Sequence, residues 1–289
     1  MLFVRRLLPV AVAAAVLGGP GGSALAQSGG TPPTGSTPTA TAPTAPQNPC
    51  SDLSLRCPDL ILYRPYDMYY DKVGSQLRLR AGNSIVNVGR GPAQNRGTRI
   101  GLDRMYARQE ILKVGGGLRR FDNGGRLVFK FVPGRGSYWK FENAAKFEVW
   151  SLDDQGRPLR RVRTGPKLAY CLRDLGKRFS SRISPPRRHF PACNQDRDIR
   201  AVTLGTSVGW SDDYPSPYPE QWIDVAGLRG RFIFFQTVDP LNHMWEVNER
   251  NNRSPVIKLT LPPRRTSDGR YVPPSSTAAG RRGADLFGY

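Results

Sequence analysis

Histidine is the scarcest of the residues that could bind a metal or transfer a proton in this 289-residue chain. There are two, His189 and His243, beside 43 Lys and Arg and 23 Asp and Glu residues. Imidazole is a preferred ligand for copper and zinc, and two histidines cannot form a three-histidine site. His189 lies in a basic loop, and His243 follows Asp239-Pro240 in a predicted turn. We therefore expect both histidines to be loop residues rather than metal ligands.

One motif for nucleophilic catalysis is present letter for letter. The segment Gly205-Thr206-Ser207-Val208-Gly209 matches the Gly-x-Ser-x-Gly elbow of serine hydrolases. That elbow joins a strand to a helix in an α/β fold, and its serine uses a histidine later in the chain, here His243. Because the sequence predicts strands around this segment, we interpret the match as coincidence.

Two further patterns carry less information. Asp212 and Asp213 near Glu220 offer the paired carboxylates of a glycosidase, but their context favours turn and capping roles. The glycines at 115–117 are not followed by the Lys and Ser or Thr that a phosphate-binding loop needs. Neither pattern predicts an activity.

The two ends of the chain differ in composition from its middle. Residues 1–26 have a basic start, a short apolar run and Ala24-Leu25-Ala26, which predicts a secretory signal peptide. The apolar run is shorter than the roughly 20 residues of a membrane span, and no cysteine follows for a lipid anchor. Residues 27–49 are rich in Pro, Thr, Ser and Gly and predict a linker, and residues 263–289 predict a basic disordered tail. The expected folded domain is 50–262, in a protein that is secreted or held in the cell envelope.

All four cysteines lie in the predicted domain. An exported chain meets an oxidising compartment, where disulfides form. Four cysteines allow three pairings, and the Cys-x-x-Cys spacing typical of zinc sites is absent. We predict the local pairs Cys50–Cys57 and Cys171–Cys193, because each brackets a loop-like stretch.

The net charge of +20 predicts attraction to polyanions. Nucleic-acid binding also needs a reading element or a stacking platform, and export makes nucleic acid an unexpected partner. The candidate partners are therefore anionic cell-envelope polymers or extracellular proteins. A general arginine bias in composition would explain the charge equally well.

The domain is predicted to be made of short strands. Alternating or continuous apolar runs bounded by Gly, Pro and Asp turns predict an all-β, antiparallel β-sandwich with long loops. The predicted strands are 60–62, 76–81, 84–88, 126–132, 146–150, 231–238 and 256–261. Convincing helical periodicity is absent, and the segment from Ile100 to Leu112 is at best a short helix.

Six groups of segments, taken in order, resemble the lysyl oxidase family in its bacterial form. They are CPDLILYRP (57–65) with SIVNVGRGP (84–92), YWKF (138–141) with KFEV (146–149), GPKLAYCLRD (165–174), GTSVGWSDDY (205–214), QWIDV (221–225), and VDP (238–240) with EVNERNN (246–252). The resemblance runs from about Asp59 to Leu261. It implies a secreted β-sandwich enzyme that oxidises primary amines, typically peptidyl lysine, to aldehydes.

The same resemblance implies a cofactor and its precursors. The family uses Cu(II) held by histidines and a lysine tyrosylquinone made by joining a lysine to a tyrosine. The matching positions are Lys167 and Tyr214, and both residue types are present. These are the site residues that the resemblance predicts.

The copper ligands are where the chain departs from the family. Gly136, Tyr138 and Lys140 stand where the family has three closely spaced histidines, and Pro166 replaces the histidine before Lys167. None is a usual copper ligand, and Lys140 would put a cation where the metal belongs. Since copper also drives formation of the family's quinone, we expect no bound cofactor and an unmodified Lys167 and Tyr214.

Two classes of function therefore remain open. The first is a secreted, catalytically degenerate family member that acts as an extracellular or envelope binding or structural module. The second is a copper- and quinone-dependent amine oxidase with unconventional ligands, which would release ammonia and hydrogen peroxide. The missing histidines favour the first.

Overall fold

The computed structural model describes residues 47–166 and 169–274. The predicted signal peptide and most of the predicted linker, as well as Lys167 and Leu168, lie outside the described residues. The same holds for the predicted tail beyond residue 274. By its internal contacts, the stretch from Gln47 onward forms one compact unit.

The described residues are all-β, as predicted, apart from one 3-10 turn at Pro49–Ser51. The strands, in chain order, are β1 (Leu55–Arg56), β2 (Leu60–Leu62), β3 (Tyr66–Val73), β4 (Gln76–Asn87), β5 (Ala93–Arg99), β6 (Arg104–Lys113), β7 (Leu118–Phe121), β8 (Arg126–Val132), β9 (Gly136–Phe141), β10 (Ala145–Leu152), β11 (Pro158–Thr164), β12 (Gly176–Lys177), β13 (Ala201–Thr206), β14 (Trp210–Tyr214), β15 (Trp222–Asp224), β16 (Gly230–Val238) and β17 (Ile257–Leu261).

These strands form three antiparallel sheets. The first has the order β13-β5-β6-β8-β9, and β1 and β7 also pair with β6. The second has the order β11-β10-β16-β17, and the third has the order β12-β14-β4-β15, with β2 and β3 also paired to β4. Every pairing between these strands is antiparallel, which agrees with the sequence prediction.

The segment predicted as a short helix is instead a turn followed by strand β6. Met105, Ala107 and Ile111 have no exposed surface, whereas Arg104 and Arg108 face solvent. Apolar side chains at every second residue fit a strand with one buried face, because successive side chains point to opposite sides. The helix prediction was wrong, since the period of two is hidden by the polar residues Gln109 and Glu110, which are also buried.

The largest core lies between the first and third sheets. Strands β2 and β4 supply Leu60 and Ile85, and the first sheet supplies Leu127, Trp139 and Phe141, none with exposed surface. A second core joins β3 and β4 to the second sheet through Leu79, Phe147 and Phe234. The site described below is built at the edge of the largest core.

Both predicted disulfides are present. Cys50–Cys57 has a Cα–Cα distance of 5.7 Å and lies in a small third core with Leu55 and Ile111. Cys171–Cys193 has a Cα–Cα distance of 5.8 Å and closes the long loop that contains β12. Among the described residues, no helix is long and apolar enough to cross a membrane.

The first part of the predicted tail continues the fold. Arg265 and Tyr271 form an isolated β-bridge, and the Tyr271 ring lies 6.2 Å from the ring of Tyr70 on β3. These contacts place Tyr271 against the second core.

Candidate functional site

Strand β9 carries three of the positions at which this sequence lacks the copper-binding histidines of the lysyl oxidase family. Gly136, Tyr138 and Lys140 are two residues apart, so the three positions lie on one face of the strand. Gly136 is exposed at the strand's start with a φ of 86°, where a glycine is strongly favoured. Tyr138 and Lys140 are buried, and Tyr138 packs with residues of the largest core.

Lys140 is a buried cation without a hydrogen-bond partner. Its side chain has no exposed surface, and no described group accepts a hydrogen bond from its Nζ atom. The Nζ atom lies 5.1 Å from the centre of the Tyr138 ring and 5.7 Å from that of Tyr218. Burial lowers the pKa of Lys140 to about 8, and the attraction of Glu220 and Asp212 only partly opposes this shift. The π faces of two tyrosines thus replace water around the ammonium group.

Tyr214, the predicted quinone precursor, ends strand β14 in the same region. Its ring makes edge contacts with the rings of Tyr170 and Tyr218, with centres 4.6 Å and 4.9 Å away. Its hydroxyl accepts a hydrogen bond of 3.1 Å from the backbone N–H of Cys171. Burial, followed by the negative charge of Asp212, raises the pKa of Tyr214 well above its ordinary value. The Tyr214 phenol is therefore neutral at physiological pH.

Tyr138, Tyr170, Tyr214 and Tyr218 together form what we call the tyrosine cluster. The hydroxyls of Tyr138 and Tyr218 hydrogen-bond to each other. Burial is the first cause that raises the pKa of all four phenols. The phenols of the tyrosine cluster are uncharged, and two of its rings, those of Tyr138 and Tyr218, lie next to the buried Lys140 ammonium group.

A polar network behind the cluster fixes the tyrosines in place. The Tyr170 hydroxyl accepts a hydrogen bond from Asn83 at 3.1 Å and donates one to Gln221 at 3.3 Å. Gln221 in turn donates to the Asn83 side chain at 3.0 Å and to the Tyr214 carbonyl at 3.3 Å. Asn83 and Gln221 have no exposed surface. Buried networks of this kind are stable only when their members are paired, so they hold one arrangement.

The sequence predicted some of these residues and missed others. The structure brings Tyr214, Tyr138 and Lys140 together around Tyr218. Tyr218 and Asn83 were not predicted, because neither lies in one of the motifs. Lys167, the partner expected for Tyr214, lies outside the described residues, so that pair stays a prediction. Its neighbour Pro166 is exposed.

The described residues do not fit a copper ion held in the family's manner. Gly136 has no side chain, the Tyr138 hydroxyl is bonded to Tyr218, and the Lys140 ammonium would repel a dication. Within residues 47–166 and 169–274, no three His, Cys, Asp or Glu residues are grouped so that they could hold a metal ion.

The two histidines lie outside the tyrosine cluster, in loops. His189 is exposed, and its ring packs edge-on against Phe190 at 4.6 Å between centres. His243 is partly buried beside the Phe141 ring, 6.2 Å away, and burial lowers its pKa. Both positions agree with the prediction that they are loop residues.

The Gly-x-Ser-x-Gly segment has a structural role. It joins β13 to β14, so it is a strand–turn–strand connection rather than an elbow leading into a helix. The backbone N–H of Ser207 donates to Asp174 at 2.7 Å, and its hydroxyl donates to the other oxygen of that carboxylate at 2.8 Å. Ser207 is buried, so it anchors the loop of β12 instead of facing a substrate.

The acidic residues near Tyr214 are also in fixed structural positions. Asp212 and Asp213 lie within β14, so the predicted turn and capping roles were wrong for these two residues. Asp213 forms an ion pair with Arg178 and accepts a hydrogen bond from Ser211 at 2.9 Å. Glu220 is paired with Lys130 at 2.7 Å. These pairings do not leave two carboxylates on either side of an open cleft.

The fold and site therefore define an all-β, disulfide-linked domain with a buried lysine set against a cluster of tyrosines. The family model for lysyl oxidase matches residues 122–260, a stretch that contains β8 to β16 and the whole tyrosine cluster. Residues 122–260 thus carry a lysyl oxidase domain. No curated protein matches the chain.

Proposed function

We propose that this chain is a secreted, catalytically degenerate member of the lysyl oxidase family that acts as a binding or structural module outside the cell or in its envelope. The observation that carries this proposal is the position of Lys140. Its fully buried ammonium group fills the place where the resemblance requires a copper ligand. A dication at that position would meet a like charge in a region of low dielectric constant, where repulsion is strong.

The surroundings of Lys140 support the same proposal. The Tyr138 hydroxyl is engaged with Tyr218, and burial raises the pKa of Tyr138. A phenol must lose its proton to become a good ligand for Cu(II), and a raised pKa makes that loss harder. Two of the three ligand positions are thus occupied by side chains that oppose metal binding, and the third, Gly136, has no side chain.

Location outside the cytoplasm is the second part of the proposal. Two disulfides staple the described residues, and disulfides persist mainly in oxidising compartments. The signal peptide predicted from residues 1–26 would deliver the chain there. A disulfide-linked β-fold that lacks a catalytic centre is suited to a binding or structural role.

Peptide mapping by mass spectrometry tests the loss of the quinone directly. We expect the Lys167 and Tyr214 peptides at their unmodified masses in protein secreted from cells grown with copper. A covalent link between these two residues would overturn the proposal. An aerobic assay of peroxide release from alkyl amines, with and without added Cu(II), should give no signal for the same reason. Copper-dependent peroxide release would support the alternative, an active amine oxidase.

A variant that rebuilds the missing ligands provides the matched control. Gly136→His, Tyr138→His and Lys140→His together place three imidazoles on the face of β9 where the family has them. We expect the native chain to show no stoichiometric Cu(II) binding in calorimetry and the triple variant to bind. Tight, stoichiometric Cu(II) binding by the native chain would contradict the proposal.

A further inference from the structure

The outer face of the first sheet contains a groove that no part of the proposed site uses. Strands β5 and β6 turn small or apolar residues inward, among them Gly97, Met105 and Ala107. Their alternate residues point away from the core because side chains alternate along a strand. On this outer face lie Arg96, Thr98, Tyr106 and Arg108.

The first part of the groove is a cavity of about 240 Å³ lined by Arg96, Thr98, Arg108 and Arg120. Arg96 on β5 lies directly opposite Arg108 on β6. Like charges in directly opposed positions destabilise an antiparallel pair. An anion placed between the two guanidinium groups would turn this repulsion into attraction.

Neighbouring carboxylates pair with the Nε atoms of Arg108 and Arg120 and leave the Nη atoms of both side chains uncovered. Arg108 uses its Nε to pair with Asp122 at 2.7 Å, and Arg120 uses its Nε to pair with Glu110 at 3.0 Å. Within the described part of the chain, the Nη atoms of both arginines and the whole Arg96 guanidinium have no protein acceptor. A guanidinium fixed through Nε presents its Nη groups in the fork that binds a carboxylate.

The second part of the groove is a larger cavity of about 610 Å³. Its lining residues include Asn143, Asn242, Tyr106 and His243. Because burial lowers the pKa of His243, its ring is neutral at pH 7 and can both donate and accept a hydrogen bond. Amides, a neutral imidazole and an aromatic ring match the hydroxyls and the apolar faces of sugars.

The two cavities adjoin each other on the sheet. The Arg108 guanidinium carbon lies 5.9 Å from the centre of the Tyr106 ring, and Arg108 is paired with Asp122. Tyr106 and Asp122 line the larger cavity, whereas Arg108 lines the smaller one. Tyr106 also lies opposite Thr98 of the smaller cavity. We call the two cavities together the outer groove.

We propose that the outer groove binds an acidic polysaccharide whose carboxylates are spaced by neutral sugar units. A carboxylate would occupy the arginine-lined cavity, and a neutral sugar would occupy the amide-lined cavity beside it. The carboxylates of Glu110, Asp122 and Glu142 around the groove disfavour a densely charged chain such as nucleic acid or polyphosphate. The inference deepens the proposed binding role of the module by naming its partner.

Binding of a hyaluronan decasaccharide, in which glucuronate alternates with a neutral sugar, tests this assignment. We expect calorimetry to detect binding to the native protein and weak or no binding of the same sugar with its carboxyl groups reduced to alcohols. Arg96→Gln should weaken binding about fivefold to tenfold, since one charge-assisted contact is lost. Tyr106→Ala should weaken it too, because the sugar loses its aromatic surface.

Arg160→Gln is the matched control, because Arg160 is an equally exposed arginine on β11 of the second sheet. It removes the same charge and should leave hyaluronan binding unchanged. Equal loss in Arg96→Gln and Arg160→Gln would mean that only the net charge matters and would overturn the inference. Equal binding of the carboxyl-reduced sugar, or full displacement by an equal mass of duplex DNA, would overturn it as well.

The test of the outer groove and the test of the proposed function have distinguishable outcomes. Peroxide release from alkyl amines would depend on Lys167, Tyr214 and copper, whereas hyaluronan binding depends on the residues of the outer groove. Absence of both hyaluronan binding and peroxide release would refute the groove and leave the degenerate site standing. Hyaluronan binding together with copper-dependent peroxide release would support the groove and refute the degenerate site.

Discussion

A lysine side chain without exposed surface must gain a partner, release its proton or destabilise the fold. Lys140 has two tyrosine rings near it and a pKa lowered to about 8, so it is still mostly protonated at pH 7. Its desolvation therefore outweighs the attraction of the tyrosine rings and the nearby carboxylates. The residue that departs most from the family is also a residue that lowers stability.

Replacing Lys140 by methionine should therefore stabilise the protein at pH 7. Each pKa unit corresponds to about 1.4 kcal/mol, and the downward shift predicts a gain of roughly 1 to 3 kcal/mol in the free energy of unfolding. In the native chain, the unfolded state binds more protons above pH 8, so stability should rise with pH until the unfolded lysine also titrates. Lys140→Met should lose this rise, as measured by urea unfolding at several pH values.

Lys258→Met is the control for that experiment. Lys258 is exposed on β17, so its replacement should leave both the stability and its pH dependence nearly unchanged. If Lys140→Met were destabilising at pH 7, the ammonium group would be making a favourable contact. The degenerate-site proposal would then lose its main physical support.

Gly205 shows why a sequence motif can be real and still not be catalytic. A Cβ atom at this position would lie 2.7 Å from the Ala93 carbonyl oxygen and 2.8 Å from the Phe190 ring. Glycine is required there because β13 packs closely against β5 and against Phe190 of the loop that precedes β13. The motif thus reflects backbone packing, which the sequence alone does not distinguish from an elbow.

Gly205→Ala should accordingly destabilise the fold by about 1 to 3 kcal/mol through overpacking. Thermal unfolding followed by circular dichroism measures this loss. Gly101→Ala is the control, because a Cβ at Gly101 would meet no atom within 4 Å. A neutral effect of Gly205→Ala would contradict the packing explanation for the motif.

At the scale of the elements, strands with clear alternation were predicted well. The predicted strand 126–132 coincides with β8, and the predicted strands 60–62 and 231–238 match β2 and most of β16. The strands predicted at 76–81 and 84–88 form the single strand β4, because the Tyr66 ring packs on Gly82 and the chain continues there without a turn. Alternating apolar residues were sufficient to predict β8, and a continuous apolar run was sufficient to predict β16.

Strands with polar inward faces could not be predicted in this way. Strand β5 has the sequence AQNRGTR, and its buried residues include Gln94, Asn95 and Gly97. A period of two is present in its burial but not in its hydrophobicity. For the same reason, the arginines of the outer groove could not be placed on one face from the sequence. The site was predicted through motif order, which reveals neither Asn83 nor Tyr218.

The long loop closed by Cys171–Cys193 is the element whose stability depends most on covalent linkage. It carries β12 and the Asp174 carboxylate that holds Ser207. Closing a loop of this length contributes about 3 kcal/mol by restricting the unfolded chain. Cys171→Ser with Cys193→Ser should lose about that amount, with faster hydrogen exchange confined to the loop.

The second disulfide provides the comparison for that prediction. Cys50→Ser with Cys57→Ser should accelerate exchange near β1 and leave the long loop protected, because these cysteines lie in a separate small core. Identical exchange patterns in the two double variants would show that the disulfides do not act on separate elements. Mass spectrometry of exchanged peptides distinguishes the two results.

At the scale of the whole molecule, buried carboxyl groups set the dependence of stability on pH. Burial raises the pKa of Asp239 to about 7 and that of Glu246 well above its ordinary value. Burial also raises the pKa values of Asp59, Asp67 and Glu249. The three carboxyl groups whose pKa values are lowered lie near the surface and contribute little between pH 5 and 7; they are Asp52, Asp153 and Asp268.

The sign of the pH dependence follows from these directions. Between pH 5 and 7 the folded protein holds protons on Asp239 and Glu246 that the unfolded chain has already released, so the free energy of unfolding should fall as pH rises. His243, whose pKa is lowered, acts in the opposite direction, but it is a single group with a smaller shift. Because the chain has only two histidines, imidazole titration cannot reverse the trend.

We therefore expect the protein to be more stable at pH 5 than at pH 7, by roughly 1 to 3 kcal/mol in urea unfolding. Asp239→Asn should remove much of this difference, since Asp239 is the group whose pKa lies at the upper end of the interval. Asp153→Asn should leave the difference intact, because the pKa of the partly exposed Asp153 is lowered and this carboxyl group does not titrate between pH 5 and 7. If stability instead rose from pH 5 to pH 7 in the native chain and in Asp153→Asn alike, buried carboxyl groups would not control it. A chain that keeps protons on buried acids would be most stable in mildly acidic surroundings, the condition expected beside a dense acidic polysaccharide that attracts protons to its surface.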